Sequence, residues 1–300
     1  MKILKTALLF LFSILLSTAS DLHADPERIQ VFVSIQPQAY FVERIGGDRT
    51  SVEIMVKPGH NPATYEPTPK QAASLAQAKL YFRIGVPFEN VWMDRISQVN
   101  PTMKIIDTRK NVSLRTMENH YHHGDVDAHE HDENSAQEKS KDPHIWLDPK
   151  RVKIQVQTIC DALSEIDPTH QSEYEANLKK FHHDLDLLDD EIRTTLKDLR
   201  IRRFLVFHPS WGYFADAYDL TQIPIEIEGK EPTARQLAEL MELVKQEKIK
   251  TVFIQPQFDK NIAGVIAQTI GGSVITLDPL AKDYLKNMKE TAKRLQEAMQ

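Results

Sequence analysis

The sequence predicts an α/β protein of two similar lobes, each with a mainly parallel four-stranded sheet flanked by helices, joined by one long rigid helix. Both halves of the chain alternate short β-rich runs with helical patterns, which is typical of βαβ units and parallel sheets. Between the halves runs an amphipathic pattern that is longer than one lobe needs. Ligands of open parallel sheets bind beyond the carboxyl ends of the strands, so this fold predicts a site where the lobes meet.

Runs rich in β-branched and aromatic residues predict four strands in each half of the chain. In the first half these runs are residues 30–35, 51–56, 80–84 and 104–107. In the second half they are residues 204–207, 223–227, 251–254 and 273–277, with a helical pattern at 233–247 between the second and third.

The joining helix is predicted to begin at Asp167 and Pro168, an N-cap residue followed by a proline at the first helical position. Apolar residues then recur at helical spacing from Tyr174 to Leu199. About 28 residues at ~1.5 Å each give roughly 42 Å, enough to run along both lobes and hold them in nearly fixed relation. The predicted boundaries are therefore 25–166 for the first lobe, 167–200 for the helix and 201–300 for the second lobe.

The N-terminal segment has the layout of a secretory signal peptide, predicted at residues 1–24. Lys2 and Lys5 precede an apolar stretch over residues 7–16, and small residues follow it. The stretch is too short for a membrane span of about 20 residues. Because no cysteine lies near the expected cleavage point, we expect a soluble periplasmic protein without a lipid anchor.

Composition limits the partners and the kind of metal site. Cys160 is the single cysteine, which excludes an internal disulfide and a Cys-based zinc site, so any metal must be held by His and carboxylates. The formal net charge of −6 makes nucleic acid an unfavourable partner and cations a favourable one.

Residues 118–138 form a His-rich and acidic tract that lacks Lys and Arg, within a predicted disordered loop at 118–141. Five of the chain's 12 histidines fall there, namely His120, His122, His123, His129 and His131. Imidazoles among carboxylates predict a weak, auxiliary site that collects divalent cations. The alternative is a solvated acidic loop whose histidines are incidental.

Four metal-ligating residues follow predicted strands or lie between the lobes, and we predict that they form one tetrahedral zinc site at the lobe interface. His60 lies in the loop after the second strand, and His208 and Asp278 end strands of the second half. His144 lies in the segment DPHIWLDP. Taken singly, each histidine could instead be a hydrogen-bonded core or turn residue.

These segments carry a family resemblance. PGHNPATYEP, DPHIWLDP, FHPSWGYFADAYDL and TLDPL resemble the zinc and manganese substrate-binding proteins of ABC transporters, the ZnuA/TroA group. The resemblance implies a monomer that captures Zn(II) and delivers it to a permease in the inner membrane. Manganese-selective relatives generally have Glu where this chain has His208, so the resemblance favours zinc.

The first metal position departs from the family pattern, because Ala63 stands where members usually have histidine. We predict that His60, in the same loop, replaces it, with Glu66 as a hydrogen-bond partner for an imidazole N–H. The competing interpretation is a site made of His144, His208 and Asp278 plus water.

Two other kinds of function would use the same histidines and carboxylates. A zinc hydrolase would need an open coordination position and a carboxylate acting as general base, but the sequence contains no HExxH motif and no nucleophile motif, so we expect no enzyme. A transport protein for manganese or another divalent metal, or a periplasmic metal buffer, could use the same ligands.

Overall fold

The computed structural model describes residues 28–117, 141–227 and 229–300. The predicted signal peptide and the five histidines of the His-rich tract lie outside these residues. Within them, no helix is both long enough and apolar enough to cross a membrane.

Each lobe contains a four-stranded, all-parallel sheet, as the sequence predicted. The first sheet has the order β2-β1-β3-β4 and the second has the order β6-β5-β7-β8. The strands are β1 (Ile29–Val33), β2 (Thr50–Ile54), β3 (Leu80–Arg83), β4 (Lys104–Asp107), β5 (Arg203–Val206), β6 (Thr221–Pro224), β7 (Thr251–Ile254) and β8 (Ser273–Thr276). The two lobes therefore share one topology. The loops after the carboxyl ends of the strands in both sheets reach the space between the two lobes.

Helices cover the two sheets and connect their strands. They are α1 (Gln36–Gly46), α2 (Pro69–Leu75), α3 (Pro87–Val99), α4 (Pro149–Ile166), α5 (Gln171–Leu196), α6 (Gly212–Ala217), α7 (Ala234–Gln246), α8 (Lys260–Thr269) and α9 (Tyr284–Met299). Several begin where the sequence dictates: Thr68 and Thr233 accept hydrogen bonds from the backbone three residues on, and a proline opens α2, α3 and α4.

The joining helix is α5, and it begins slightly later than the sequence predicts. A 3-10 turn at Pro168–His170 precedes it, because the carboxylate of Asp167 accepts hydrogen bonds from His170 Nδ1 at 2.8 Å and from the hydroxyl of Tyr174 at 2.6 Å. The predicted apolar stripe is the buried face of α5. It packs against α1 and α4 of the first lobe and against α9 of the second, so one helix supports both lobes.

The apolar core forms two clusters. The larger cluster joins the first sheet, α5, α9 and one face of the second sheet, and its largest members include Trp146, Trp211 and Phe181. The smaller cluster lies on the other face of the second sheet, around Leu205, Ile223 and Val252. Because the larger core crosses from one lobe to the other, the two lobes pack as one body around α5.

Candidate metal centre

His144 is held in the segment that joins the first lobe to α4, just before a 3-10 turn at Ile145–Leu147. Its side chain is almost fully buried, with only 9% of the residue exposed. The ring Nδ1–H donates to Asp142 Oδ1 at 2.7 Å, and the backbone N–H of His144 donates to the same oxygen at 3.0 Å. An ionised carboxylate can only accept a hydrogen bond, so Nδ1 carries the proton. The other ring nitrogen, Nε2, then has a lone pair that is free to bind a metal.

Asp142 is itself fixed by both lobes. Its second oxygen pairs with the guanidinium of Arg115 at 3.5 Å, and its backbone carbonyl accepts from the hydroxyl of Tyr213 on α6 at 2.9 Å. The same hydroxyl accepts the backbone N–H of Arg115 at 2.9 Å. Gly212 lets the guanidinium lie against the start of α6, because a Cβ there would clash with Arg115 and crowd Asp142. The support behind His144 is thus an interlobe cluster.

His208 lies two residues after β5, at the carboxyl edge of the second sheet. Its Nδ1 is 3.2 Å from Glu226 Oε1, and its ring stacks on Phe258 with centroids 5.4 Å apart. The side chain of Gln255 holds the backbone on both sides, donating to the carbonyl of His208 at 2.6 Å and accepting its N–H at 3.3 Å. A buried carboxylate therefore orients the second imidazole as Asp142 orients the first, and a buried amide fixes the backbone that carries it.

The two imidazoles face each other across one cavity. Their ring centroids are 5.4 Å apart with an angle of 70° between the planes, and both line a space of about 200 Å³ between the lobes. With each Nδ1 engaged by a carboxylate, both Nε2 atoms are available to a cation that binds neutral imidazole. Burial lowers the pKa of His144 below its ordinary value, which favours the neutral form of the ring that a metal can bind.

The cavity walls come from both lobes. The first lobe contributes Asn61, Pro62 and Ala63, and the second contributes Pro279 and Leu280. A hydrogen bond of 2.7 Å from the indole N–H of Trp146 to the carbonyl of Pro279 joins the lobes beside the site. Further lining residues are Gly85, Val86, Pro87, Asn90, Met117, Lys141, Pro143, Ser210, Gln255, Gln257 and Phe258.

His60 is not brought to this cavity. It is exposed, its Nδ1 lies 3.2 Å from the carbonyl of Pro58, and its ring meets the edge of Tyr65. It lines a separate hollow of about 230 Å³ together with Glu66. Ala63, three residues later in the same loop, lines the cavity instead. Two consecutive turns, closed by hydrogen bonds from His60 to Lys57 and from Thr64 to Asn61, separate the two positions. That His60 is a zinc ligand and Glu66 its partner stays a prediction.

Asp278 also points away from the cavity. Its Oδ1 accepts the backbone N–H of Leu280 at 2.9 Å, and it lines a hollow beside Asn287 and Glu290 of α9. The next two residues of the chain do line the cavity, so the backbone of Asp278 lies close to it while the carboxylate is directed elsewhere. That Asp278 is a zinc ligand stays a prediction. Within residues 28–117, 141–227 and 229–300, no group of three or more His, Cys, Asp or Glu side chains lies close enough to hold a metal ion.

The supporting carboxylates were not singled out from the sequence. Asp142 could have been found, because it lies two positions before His144 in DPHIWLDP, close enough in the chain to accept a hydrogen bond from the imidazole. Glu226 could not, because it lies 18 residues from His208 in the chain and reaches it only through the pairing of β5 with β6.

A family model described as "ZnuA: Zinc-uptake complex component A periplasmic" matches residues 31–298. The chain is also similar to the high-affinity zinc uptake system protein ZnuA of Bacillus subtilis, with 26% identity over 297 residues, which cover 94% of this chain and 91% of that protein.

Solved structures agree with the sequence comparison. A crystal structure of ZnuA is 39% identical to this chain with a TM-score of 0.83, covering 91% of this chain and 100% of that one. A ZnuA deletion mutant with zinc bound is 40% identical with a TM-score of 0.82, covering 91% and 98% respectively.

Proposed function

Because the chain belongs to the ZnuA family of periplasmic zinc-uptake components, we propose that it captures one Zn(II) ion between its lobes and hands it to an ABC-type permease. The observation that carries this proposal is the pair of carboxylate-anchored imidazoles, His144 and His208, facing one interlobe cavity. Zinc is the cargo of a transport binding protein here, and the proposal includes no catalytic step.

The proposed ligands are His144 and His208 through Nε2, together with one carboxylate. Asp278 is the carboxylate that the family resemblance supplies, and it would turn its side chain from the N–H of Leu280 towards the cavity that Pro279 and Leu280 line. Nitrogen donors in the majority suit zinc better than manganese, which prefers oxygen.

Asp142 and Glu226 contribute by position and charge. Each fixes one imidazole with Nδ1 protonated, so that the ring presents Nε2 without a rotational search, and each negative charge makes that nitrogen a better donor. Most of the entropy cost of ordering the ligands is therefore met when the chain folds.

We also propose how the protein reaches the periplasm and how zinc enters and leaves the site. The protein is exported by the signal peptide at 1–24 without a lipid anchor, acts as a monomer in the periplasm, and uses the histidines of the loop at 118–141 to collect cations weakly. Docking on the permease would loosen the site by separating its two walls, which the Trp146–Pro279 hydrogen bond holds together.

Calorimetric titration of the metal-free protein with Zn(II) and Mn(II) tests this function. We expect one tight zinc site and weaker manganese binding, and saturation at about a thousand times the dissociation constant should add about 4 kcal/mol of stability. Deleting residues 118–138 should remove only the weaker binding. Tighter binding of manganese than zinc, or loss of the tight site on deletion, would contradict the proposal.

A further inference from the structure

The protein supplies fewer donors to the cavity than zinc requires. Zinc takes four tetrahedral ligands in most protein sites. Among the described residues, two imidazoles face the cavity, and a turn of Asp278 would make three. Ala63 also lines the cavity, at the position where the family resemblance would put a histidine, and its methyl group donates nothing.

The space beside Ala63 is larger than one water molecule needs. The cavity measures about 200 Å³, whereas a water molecule takes up ~30 Å³ in the liquid. It is smaller than the ~300 Å³ at which pockets for larger organic ligands begin. A molecule of amino-acid size fits this range. Its walls combine apolar surfaces, such as Trp146 and Leu280, with the amides of Asn61 and Asn90.

A cationic group also lines the cavity. Lys141 lines the cavity, and within the described parts of the chain no carboxylate forms an ion pair with its ammonium group. The carboxylates nearest to the imidazoles are already engaged, Asp142 with Arg115 and Glu226 with His208. An anionic group on a ligand is the complement that this ammonium lacks.

We propose that the protein binds zinc together with a small chelator of amino-acid size, which fills the coordination position beside Ala63 and sets its carboxylate against Lys141. This inference rests on the proposed function and specifies its cargo as a zinc chelate. His144 and His208 hold the metal from one side, and the chelator supplies the nitrogen and oxygen donors from the other.

L-Histidine is the probe, because it carries imidazole, amine and carboxylate donors on one small molecule. The full chain without its signal peptide is first loaded with one equivalent of Zn(II), and histidine is then added in a calorimeter and in equilibrium dialysis with isotopically labelled histidine. We expect one histidine per zinc-loaded protein and none on the metal-free protein. Imidazole, which lacks the carboxylate, should bind more weakly.

Two variants locate the chelator. Lys141→Gln should weaken histidine binding by about two- to fivefold, as expected for one exposed ion pair, and should not weaken the binding of zinc by itself, because it removes a positive charge from the cavity wall. Ala63→His should abolish histidine binding and tighten zinc binding, since a protein imidazole then closes the position. His183→Ala, on the exposed face of α5, is the matched control and should change neither.

The outcomes separate this inference from the proposed function. Zinc bound tightly in the absence of histidine, with no histidine retained or with histidine stripping the metal, would overturn the inference and leave the transport function standing. Failure to bind zinc with or without histidine would overturn both.

Discussion

The two lobes have the same strand order but end their equivalent strands differently. In the second lobe, β5 is followed by His208, whose imidazole is presented to the cavity and backed by Glu226 from the loop after β6. In the first lobe, β1 occupies the same place in its sheet, and the position two residues after it, which corresponds to His208, holds the buried Ile35. Ser34, one residue earlier, donates its hydroxyl to the fully buried Glu89 at 2.6 Å.

One topology can therefore either place a metal-ligating side chain at the cavity or bury a polar side chain in hydrogen bonds away from it. Glu89 also accepts the backbone N–H groups of Ile84 and Gly85 at 2.8 Å, so the carboxyl edge of the first sheet is a closed hydrogen-bonded network. That network stiffens the cavity wall at Gly85 and Val86 without offering a ligand. The two imidazoles at the cavity therefore come from the second lobe and from His144 between the lobes.

The largest expected loss of zinc affinity follows from removing one of the two imidazoles that a carboxylate anchors. His208→Ala should lower the zinc affinity by more than about 100-fold. Replacing a residue that only supports a metal ligand already costs about 10- to 100-fold in metal affinity. Competitive titration against a zinc chelator measures it, with His183→Ala as the control for a surface histidine. A loss smaller than tenfold would show that the second lobe does not dominate binding.

Removing the carboxylate behind an imidazole should cost less. Glu226→Gln keeps the size of the side chain but weakens the orientation of His208, and we expect a 10- to 100-fold loss of zinc affinity with little change in melting temperature. Ser34→Ala in the first lobe is the matched counterpart and should lower the melting temperature while leaving zinc affinity nearly unchanged. The reverse pattern in the two variants would refute the unequal roles of the lobes.

Acidification should weaken zinc binding through proton competition at the imidazoles. An imidazole with an ordinary pKa of about 6.5 is only ~3% neutral at pH 5, a cost of about 30-fold in affinity. Burial lowers the pKa of His144, so protonation of this ring begins at lower pH and its share of the loss should be smaller than 30-fold. Titrations at pH 7.5 and pH 5 check this, and equal affinity at the two values would exclude imidazole ligation.

The smallest expected effect concerns His60 of the first lobe. In the arrangement described, its ring is exposed and its Nδ1 contacts only a backbone carbonyl, so His60→Ala should change the zinc affinity by no more than about twofold. Ala63→His, three residues away in the same loop, is the variant to compare with it, because it should tighten zinc binding. A loss of tenfold or more in His60→Ala would return this residue to the ligand set predicted from the sequence.

Most of the fold could be predicted from local signals. The strands at Lys104–Asp107 and Thr251–Ile254 match the sequence prediction at both ends, and the other six differ from it by one to three residues. Prediction tended to extend strands at their carboxyl ends, as at Ile35 and Val56, because these residues are apolar and buried although they lie beyond the last strand residues, Val33 and Ile54. Apolar periodicity reports burial, and burial continues into the loops that build the site.

The sequence by itself determined the two-lobed α/β architecture, the joining helix and the kinds of donor available, since these follow from hydrophobic period, capping residues and a single cysteine. Only the tertiary structure decided which donors meet. His144 and His208 are 64 positions apart and become neighbours through packing of the lobes, whereas Ala63 and His60, three positions apart, are separated by a proline turn. Side-chain direction in such a turn depends on contacts from distant elements, which local sequence does not encode.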